Sequence, residues 1–249
     1  MFRILHQAKK IHQFNEVSHG LSSIRSFRAA IVLSGCGVYD GSEITESVSL
    51  MIALSKKDAD VKFFAPNRNQ AHVVNHLNGE EQPESRNVMQ EAARIARGEV
   101  NPLEDLKSEN FDAVFIPGGF GAAKNLSSFA FEGAEMEVHE DVQKVMKDFH
   151  NSQKVVGMCC ISPVIAAKVF GHKNVKLTLG CKGKNWPYEG SIDAAQSFGA
   201  SMEELDIDEV CVDEQHKIVT TPAYMKGDAK PDEIFRGIEK MVEEVSKRI

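Results

Sequence analysis

The five cysteines of this 249-residue chain, Cys36, Cys159, Cys160, Cys181 and Cys211, contain no CxxC spacing and belong to no paired set with metal-ligand intervals. The missing pattern excludes the common zinc frameworks, and the odd count excludes a fully paired disulfide scaffold. Free thiols in a reducing compartment are expected, with no metal and no other cofactor. Basic residues are also in short supply. The formal charge is −7, and residues 1–28 hold Arg3, Lys9, Lys10, Arg25 and Arg28 against the single acid Glu16, so the rest of the chain sits near −11. Phosphate binding needs a basic face, so nucleic acid is excluded as a partner. No long apolar run opens the chain, which rules out a secretory signal and a transmembrane span there. Internal repeats and low-complexity segments are absent too. With 42% apolar residues over this length, one substantial core and one catalytic domain are expected.

The first stretch, MFRILHQAKKIHQFNEVSHGLSSIRSF, is basic, nearly free of acids and dotted with serine, and Ile4, Ala8 and Ile11 share a helical face. These are the marks of an organellar presequence. The expected organisation is a presequence over 1–27 and one folded domain over 28–249, with an ordinary N-terminal extension as the alternative.

From Arg28 onward the chain alternates between strand and helix patterns. Ala29–Ser34 reads as a short buried strand that runs into a glycine-rich loop, and Glu43–Lys57 then carries apolar residues at helical spacing with Ser42 as N-cap. Val61–Ala65 is a second strand. Residues 66–85 read as an irregular excursion or small ribbon, followed by a helix over Arg86–Arg97 capped by Ser85 and ended by Gly98. Asp112–Ile116 is a third strand, ending in Pro117-Gly118-Gly119-Phe120-Gly121, which lacks the G-x-G-x-x-G dinucleotide spacing. A helix over Val138–His150 and strands at Val175–Leu179, Glu209–Val212 and Lys217–Thr220 follow, and an amphipathic helix over Pro231–Arg248 closes the chain. The alternation predicts an α/β fold, a doubly wound, mostly parallel sheet with helices on both faces and a crevice at the carboxyl ends of its strands.

The stretch Lys154–Val164, KVVGMCCISPV, is an apolar strand that breaks at two cysteines directly before a helix begun by Pro163. A cysteine in such a tight turn faces the positive end of the helix dipole and unpaired amides. Together with partial exposure, these favour a nucleophilic thiolate. Packing is the other use of a buried free cysteine.

Six separated stretches, SGCGVYDGSEITE (34–46), ESRNV (84–88), ARIARG (93–98), IPGGFGAAKNLS (116–127), CCISPVIAAKV (159–169) and KIVTTPAYM (217–225), together resemble the ThiJ/PfpI superfamily. This is the class I glutamine-amidotransferase-like group with a flavodoxin-like fold. Within it the chain is most similar to the ElbB branch and its mitochondrial ES-one members, a likeness to which NWPYEG (185–190) adds. The resemblance covers nearly all of 28–249. It implies a nucleophile-elbow cysteine three residues before the helix-starting proline, which selects Cys160. Cys159 then ends the strand and points the other way. The resemblance also implies an oxyanion hole from the amides of Ile161 and Gly119, and a first-helix glutamate against the thiol. Glu43 and Glu46 both compete for that place. A mitochondrial matrix location follows if 1–27 is a presequence, a cytoplasmic one otherwise, and a homodimer is expected.

A Cys-His dyad would need a base after Val175–Leu179, where this chain has Gly180-Cys181. His72, His76 and His216 are the other ring candidates. His72 and His76 are spaced like ligands on a helix but lack the glutamate of H-E-x-x-H. Glutaminase chemistry, with its Cys-His-Glu triad, is therefore not expected. Two classes stay open: a cofactor-free glyoxalase or deglycase acting through Cys160 on small carbonyl substrates such as glyoxal or methylglyoxal, and a non-catalytic redox-sensing, binding or structural protein. The Trp186-Pro187-Tyr188 run reads as a loop plug or as a substrate lid.

Overall fold

The computed structural model describes residues 27–249, so all but the last residue of the expected presequence lies outside the described part. In chain order the elements are β1 (Arg28–Val32), α1 (Ile44–Ser55), β2 (Asp60–Ala65), β3 (Val74–Asn75), β4 (Glu80–Glu81), α2 (Val88–Ile95) and β5 (Val100–Pro102). Then come β6 (Ala113–Ile116), the short α3 (Phe120–Lys124) and α4 (Phe129–Glu132), α5 (Glu140–Asn151), β7 (Val155–Cys159) and α6 (Pro163–Phe170). Finally β8 (Lys176–Leu177), α7 (Gly190–Ser197), β9 (Ser201–Met202), β10 (Cys211–Asp213), β11 (Ile218–Thr221) and α8 (Pro231–Ser246) complete the chain.

The main sheet has the order β10-β11-β7-β6-β1-β2-β5, and every neighbouring pair is parallel except β10 with β11. Ile31 is in register with Phe115, and Ile116 with Met158; all four side chains are buried. Strands covered on both faces read as continuous apolar runs, as AVFI and VVGMC do here. The connection from β1 through α1 to β2 steps one way along the sheet, and that from β6 through α5 to β7 steps the other. Right-handed crossovers therefore put α1 and α5 on opposite faces. α8 packs on α1 and against β7 and β11, burying Ile234, Ile238, Met241, Val242 and Val245 along one helical stripe. α5 buries Val142, Val145, Met146 and Phe149 on β7's other side, each large side chain contributing about 1.5–3 kcal/mol by leaving water. The expected flavodoxin-like α/β architecture is the one observed.

Several boundaries differ from the sequence reading for tertiary reasons. Ser42 does not cap α1. Its Oγ accepts the Ser34 N–H at 2.8 Å, and Glu43 is the cap, its Oε2 accepting the Glu46 N–H at 2.6 Å. The helix expected from Arg86 begins at Val88 under an Asn87 cap, because the residues before it are extended: the Gln70 N–H donates to the Arg86 carbonyl and the Val88 N–H to the Arg68 carbonyl. The strand expected over Val175–Leu179 shrinks to two residues paired with β9 outside the main sheet. Side chains take its amides instead, Asp213 Oδ2 accepting from Lys176 N–H and Thr220 Oγ1 from Thr178 N–H. The excursion over 66–85 contains the β3–β4 ribbon.

Candidate active site

β7, β6 and β1 lie side by side, and sheet order reverses between β6 and β1, the switch point where such folds open a crevice. The loops leaving the carboxyl ends of these three strands meet there. β7 ends at Cys159 and Pro163 starts α6, and in the turn between them Cys160 takes φ +60°. A side chain in this left-handed region costs on the order of 1–3 kcal/mol and persists only where the surroundings fix it. Here the Cys160 N–H donates to the Thr221 carbonyl at 3.1 Å, and Ser162 Oγ donates to the Ile116 carbonyl at 2.7 Å. The other described non-glycine residues at positive φ close turns between elements, except Ala223 at +46°, which also adjoins the site.

The turn after β6 has to be glycine. A Cβ on Gly118 would stand 2.4 Å from Cys160 Cβ and 2.8 Å from its sulfur. One on Gly119, at φ +89°, would stand 2.4 Å from both the Glu43 nitrogen and the Gly41 carbonyl oxygen. This close approach aims the Gly119 and Ile161 N–H groups at the Cys160 sulfur, which accepts from both. The two amides expected as an oxyanion hole thus converge on the thiol.

The structure also separates the two glutamates. Glu46 is completely buried, and its Oε2 accepts the Gly118 N–H at 2.7 Å, lies 3.7 Å from Cys159 Sγ and shares a hydrogen bond with the Cys160 side chain. Its Oε1 accepts the Tyr224 N–H at 3.4 Å. Glu43 caps α1 and lines the cavity outside the thiol. Cys159 does not simply point away, since both sulfurs reach the Glu46 carboxyl. Burial first and the charge of Glu43 second push Glu46 up to about 7, against hydrogen bonds from Cys160, Gly118 and Tyr224.

The electrostatics correct one expectation. Burial, followed by the Glu46 charge, holds the Cys160 thiol well above the ordinary cysteine range, and the Gly119 and Ile161 amides only partly oppose this. Cys160 is 7% exposed, so desolvation outweighs dipole and amides, and a thiolate standing free at neutrality is not what this environment favours.

Cys160 opens into a cavity of about 630 Å³ whose walls include Tyr39, Phe120, Phe129, Ile161, Tyr188 and Tyr224. Trp186 is buried against Gly180, while Pro187 and Tyr188 form cavity wall, with Tyr188 edge-on to Phe120 at 5.8 Å. The run is therefore both anchor and wall.

Among the described residues, no histidine lines this cavity. His216 is buried in the β10–β11 turn, its Nδ1 2.8 Å from Asp213 Oδ2 and its ring stacked on His150. His72 and His76 flank the ribbon, not a helix. His76 Nε2 accepts the Tyr39 N–H at 3.2 Å, and His72 packs edge-on to Phe131. Cys181 is not part of the cavity wall, and burial and the acids Asp206, Glu204 and Glu209 raise its thiol. Among the described residues, no group of three or more His, Cys, Asp or Glu side chains is placed to hold a metal ion. No helix among them is long and apolar enough to cross a membrane.

Sequence reasoning missed the aromatic wall and the Tyr224 amide. The signal for the latter was the Thr221-Pro222-Ala223-Tyr224 run directly after a strand.

Fold and site together define a flavodoxin-like α/β protein with a cysteine elbow backed by a buried carboxyl. The chain belongs to the DJ-1/PfpI family, which it matches over residues 32–226. It is 47% identical over 222 residues to the mitochondrial ES1 protein homolog of Rattus norvegicus, covering 88% of this chain and 82% of that one. It is 48% identical over 202 residues to the mitochondrial glutamine amidotransferase-like class 1 domain-containing protein 3 of Homo sapiens, covering 80% and 75%. A solved structure, an isoprenoid biosynthesis protein with an amidotransferase-like domain from Ehrlichia chaffeensis, superposes with a TM-score of 0.81 at 32% identity, covering 90% of this chain and 99% of that one. Both curated relatives are named mitochondrial, in agreement with the localisation expected from the sequence.

Proposed function

We propose that this is a cofactor-independent, cysteine-based glyoxalase- or deglycase-like enzyme of mitochondria acting on small reactive dicarbonyls such as glyoxal and methylglyoxal. The observation that carries the reading is the Cys160–Glu46 pair at the floor of an open cavity, under the Gly119 and Ile161 amides. In this scheme the Cys160 thiol attacks an aldehyde carbon while ionised Glu46 takes its proton, which removes the need for a standing thiolate. The new C–S bond leaves a hemithioacetal, whose oxygen, as it develops charge, draws on the Gly119 and Ile161 amides. One such donor is typically worth about 10²–10³ in rate. Protonated Glu46 gives that proton to the hemithioacetal oxygen and, ionised again, carries a proton from the sulfur-bearing carbon to its neighbour through an enediol. The hydroxyl ends on the neighbour and the carbonyl on the sulfur-bearing carbon, giving a thioester of the 2-hydroxy acid. Water cleaves that C–S bond and restores the thiol. The net change is addition of one water to glyoxal to give glycolate, with no oxidant or reductant consumed. Glu43 caps the helix, and its charge adds to the larger effect of burial in holding Glu46 at about 7.

The test is steady-state conversion of glyoxal to glycolate by the purified protein and its Cys160→Ala variant. Activity lost in the variant supports the reading; equal rates sink it. Two observations favour a second reading, a non-catalytic redox-sensing or binding protein: among the described residues no histidine lines the cavity, and burial raises the thiol. Absence of turnover with any dicarbonyl would select it.

The proposed assembly is a homodimer. Ile44, Val48 and Ile52 lie at helical i, i+4, i+8 spacing on α1 and are 40–48% exposed, an apolar stripe that a second copy would cover.

A further inference from the structure

The cavity above Cys160 is much larger than a two-carbon dialdehyde needs. At about 630 Å³ it falls among pockets that take ligands of roughly drug size, about 300–1,000 Å³. Its wall is mostly aromatic and aliphatic, with Tyr39, Phe120, Phe129, Ile161, Tyr188 and Met225 among its residues. Phe120 and Tyr188 already meet edge to face at 5.8 Å, an arrangement that leaves ring surface available to a third apolar group. The charge balance is one-sided. Among the described residues the wall contains no Lys, Arg or His, and its carboxyl group is that of Glu43, with Glu46 buried beneath. Lys124 is not part of the wall; its ammonium sits over the Phe120 ring at 5.3 Å and donates to the Tyr39 carbonyl at 2.9 Å.

We infer that the substrate class of this site is 2-oxoaldehydes bearing an uncharged aromatic or branched apolar group, and that it selects against those carrying a carboxylate or phosphate. This rests on the cysteine chemistry proposed above and narrows its substrate. The aldehyde carbon meets Cys160, and the apolar substituent fills the space between Phe120, Tyr188 and Ile161. An anionic substituent there would find no cation and would face the Glu43 charge.

The experiment compares kcat/KM for phenylglyoxal, methylglyoxal and 4-carboxyphenylglyoxal on the purified protein. Phenylglyoxal is expected to exceed methylglyoxal at least about tenfold, the discrimination that small differences in apolar contact already give. It is expected to exceed the carboxylate analogue by at least as much. In Phe120→Ala and in Tyr188→Ala the phenylglyoxal-to-methylglyoxal ratio should fall. Calorimetric binding of the unreactive ketones 2-hydroxyacetophenone and hydroxyacetone to Cys160→Ala reads the pocket without the chemistry. Turnover that favours methylglyoxal, or an unchanged ratio in both aromatic variants, overturns the inference while the chemistry stands. If no dicarbonyl is turned over, the chemistry fails, and tighter binding of 2-hydroxyacetophenone by about tenfold still supports the pocket assignment. Equal or absent binding of the two ketones in that case overturns both.

Discussion

Replacing Glu46 by glutamine keeps the shape of the side chain and removes its titration, which isolates what burying this carboxyl costs. In the fold its pKa rises from 4.5 to about 7. Between these values the native state holds a proton that the unfolded chain has released, so stability falls as pH climbs through the window and is fully present only below 4.5. Integrating the two titrations from pH 5 to pH 8 gives about 2–3 kcal/mol of stability lost by the wild type through this one group. Glu46→Gln is free of that loss. The variant carries a constant penalty of its own, because its amide has to satisfy both the Gly118 and Tyr224 N–H donors that the carboxylate now accepts. That penalty is independent of pH and cancels when the two proteins are compared at two pH values. Urea unfolding at pH 5 and pH 8 should show the variant gaining about 2–3 kcal/mol relative to wild type at the higher pH. In thermal scans this corresponds to about 5–10 °C for a chain of this size. A stability difference that is the same at both pH values would refute the placement of a strained, half-titrated carboxyl beneath Cys160.

Iodoacetamide labelling read by mass spectrometry should find Cys160 slow near neutral pH and faster above the ordinary cysteine range, with Glu46→Gln labelling faster than wild type above about pH 7, where the wild-type carboxyl is charged. Labelling of Cys160 as fast as a free thiol at pH 7 would contradict the burial argument. Gly118→Ala forces a Cβ to within 2.4 Å of Cys160 Cβ and should cost about 1–3 kcal/mol in unfolding experiments while abolishing turnover. Light scattering should give the mass of a dimer, and Val48→Glu, in the middle of the exposed α1 stripe, should shift it to that of a monomer.

The parallel sheet and the elbow were legible because both are local patterns. Buried parallel strands read as apolar runs, and Pro163 marks the start of α6 three residues after Cys160. The edge strand β5 was not legible, since it is three residues long and contains Pro102, which suits only an edge. The choice between Glu43 and Glu46 was hidden for a different reason. Counting along the chain fails across residues 35–41, because that loop folds back on itself, the Gly37 N–H donating to the Ser42 carbonyl and the Gly41 N–H to the Gly37 carbonyl. Ser42 has the better intrinsic capping side chain, yet its hydroxyl is consumed by Ser34, so the cap passes to Glu43 and Glu46 turns inward. The state of the thiol was misread because sequence shows where a helix dipole and amides will be, but not that the surrounding loops shut out water.

The absence of histidine from the cavity wall among the described residues is a defect for imidazole-assisted thiol chemistry, but the electrostatics show why the proposed mechanism needs none. The Glu46 charge raises the cost of a Cys160 thiolate, while the Cys160 thiol donates a hydrogen bond that favours the Glu46 carboxylate, so the doubly ionised pair is the least favoured state. A single negative charge has donors waiting at both ends: Gly119 and Ile161 at sulfur, Gly118 and Tyr224 at the carboxyl. Passing one proton between sulfur and carboxyl leaves the net charge of the buried site unchanged. It therefore avoids the desolvation cost that bringing a new charge into the site would incur. A neighbouring imidazole taking the thiol proton would instead create a cation and an anion together in that dry environment. With Glu46 held near 7, one carboxyl is poised to accept the proton from sulfur, pass it to the hemithioacetal oxygen and then move the substrate's own C–H proton within the same enclosure.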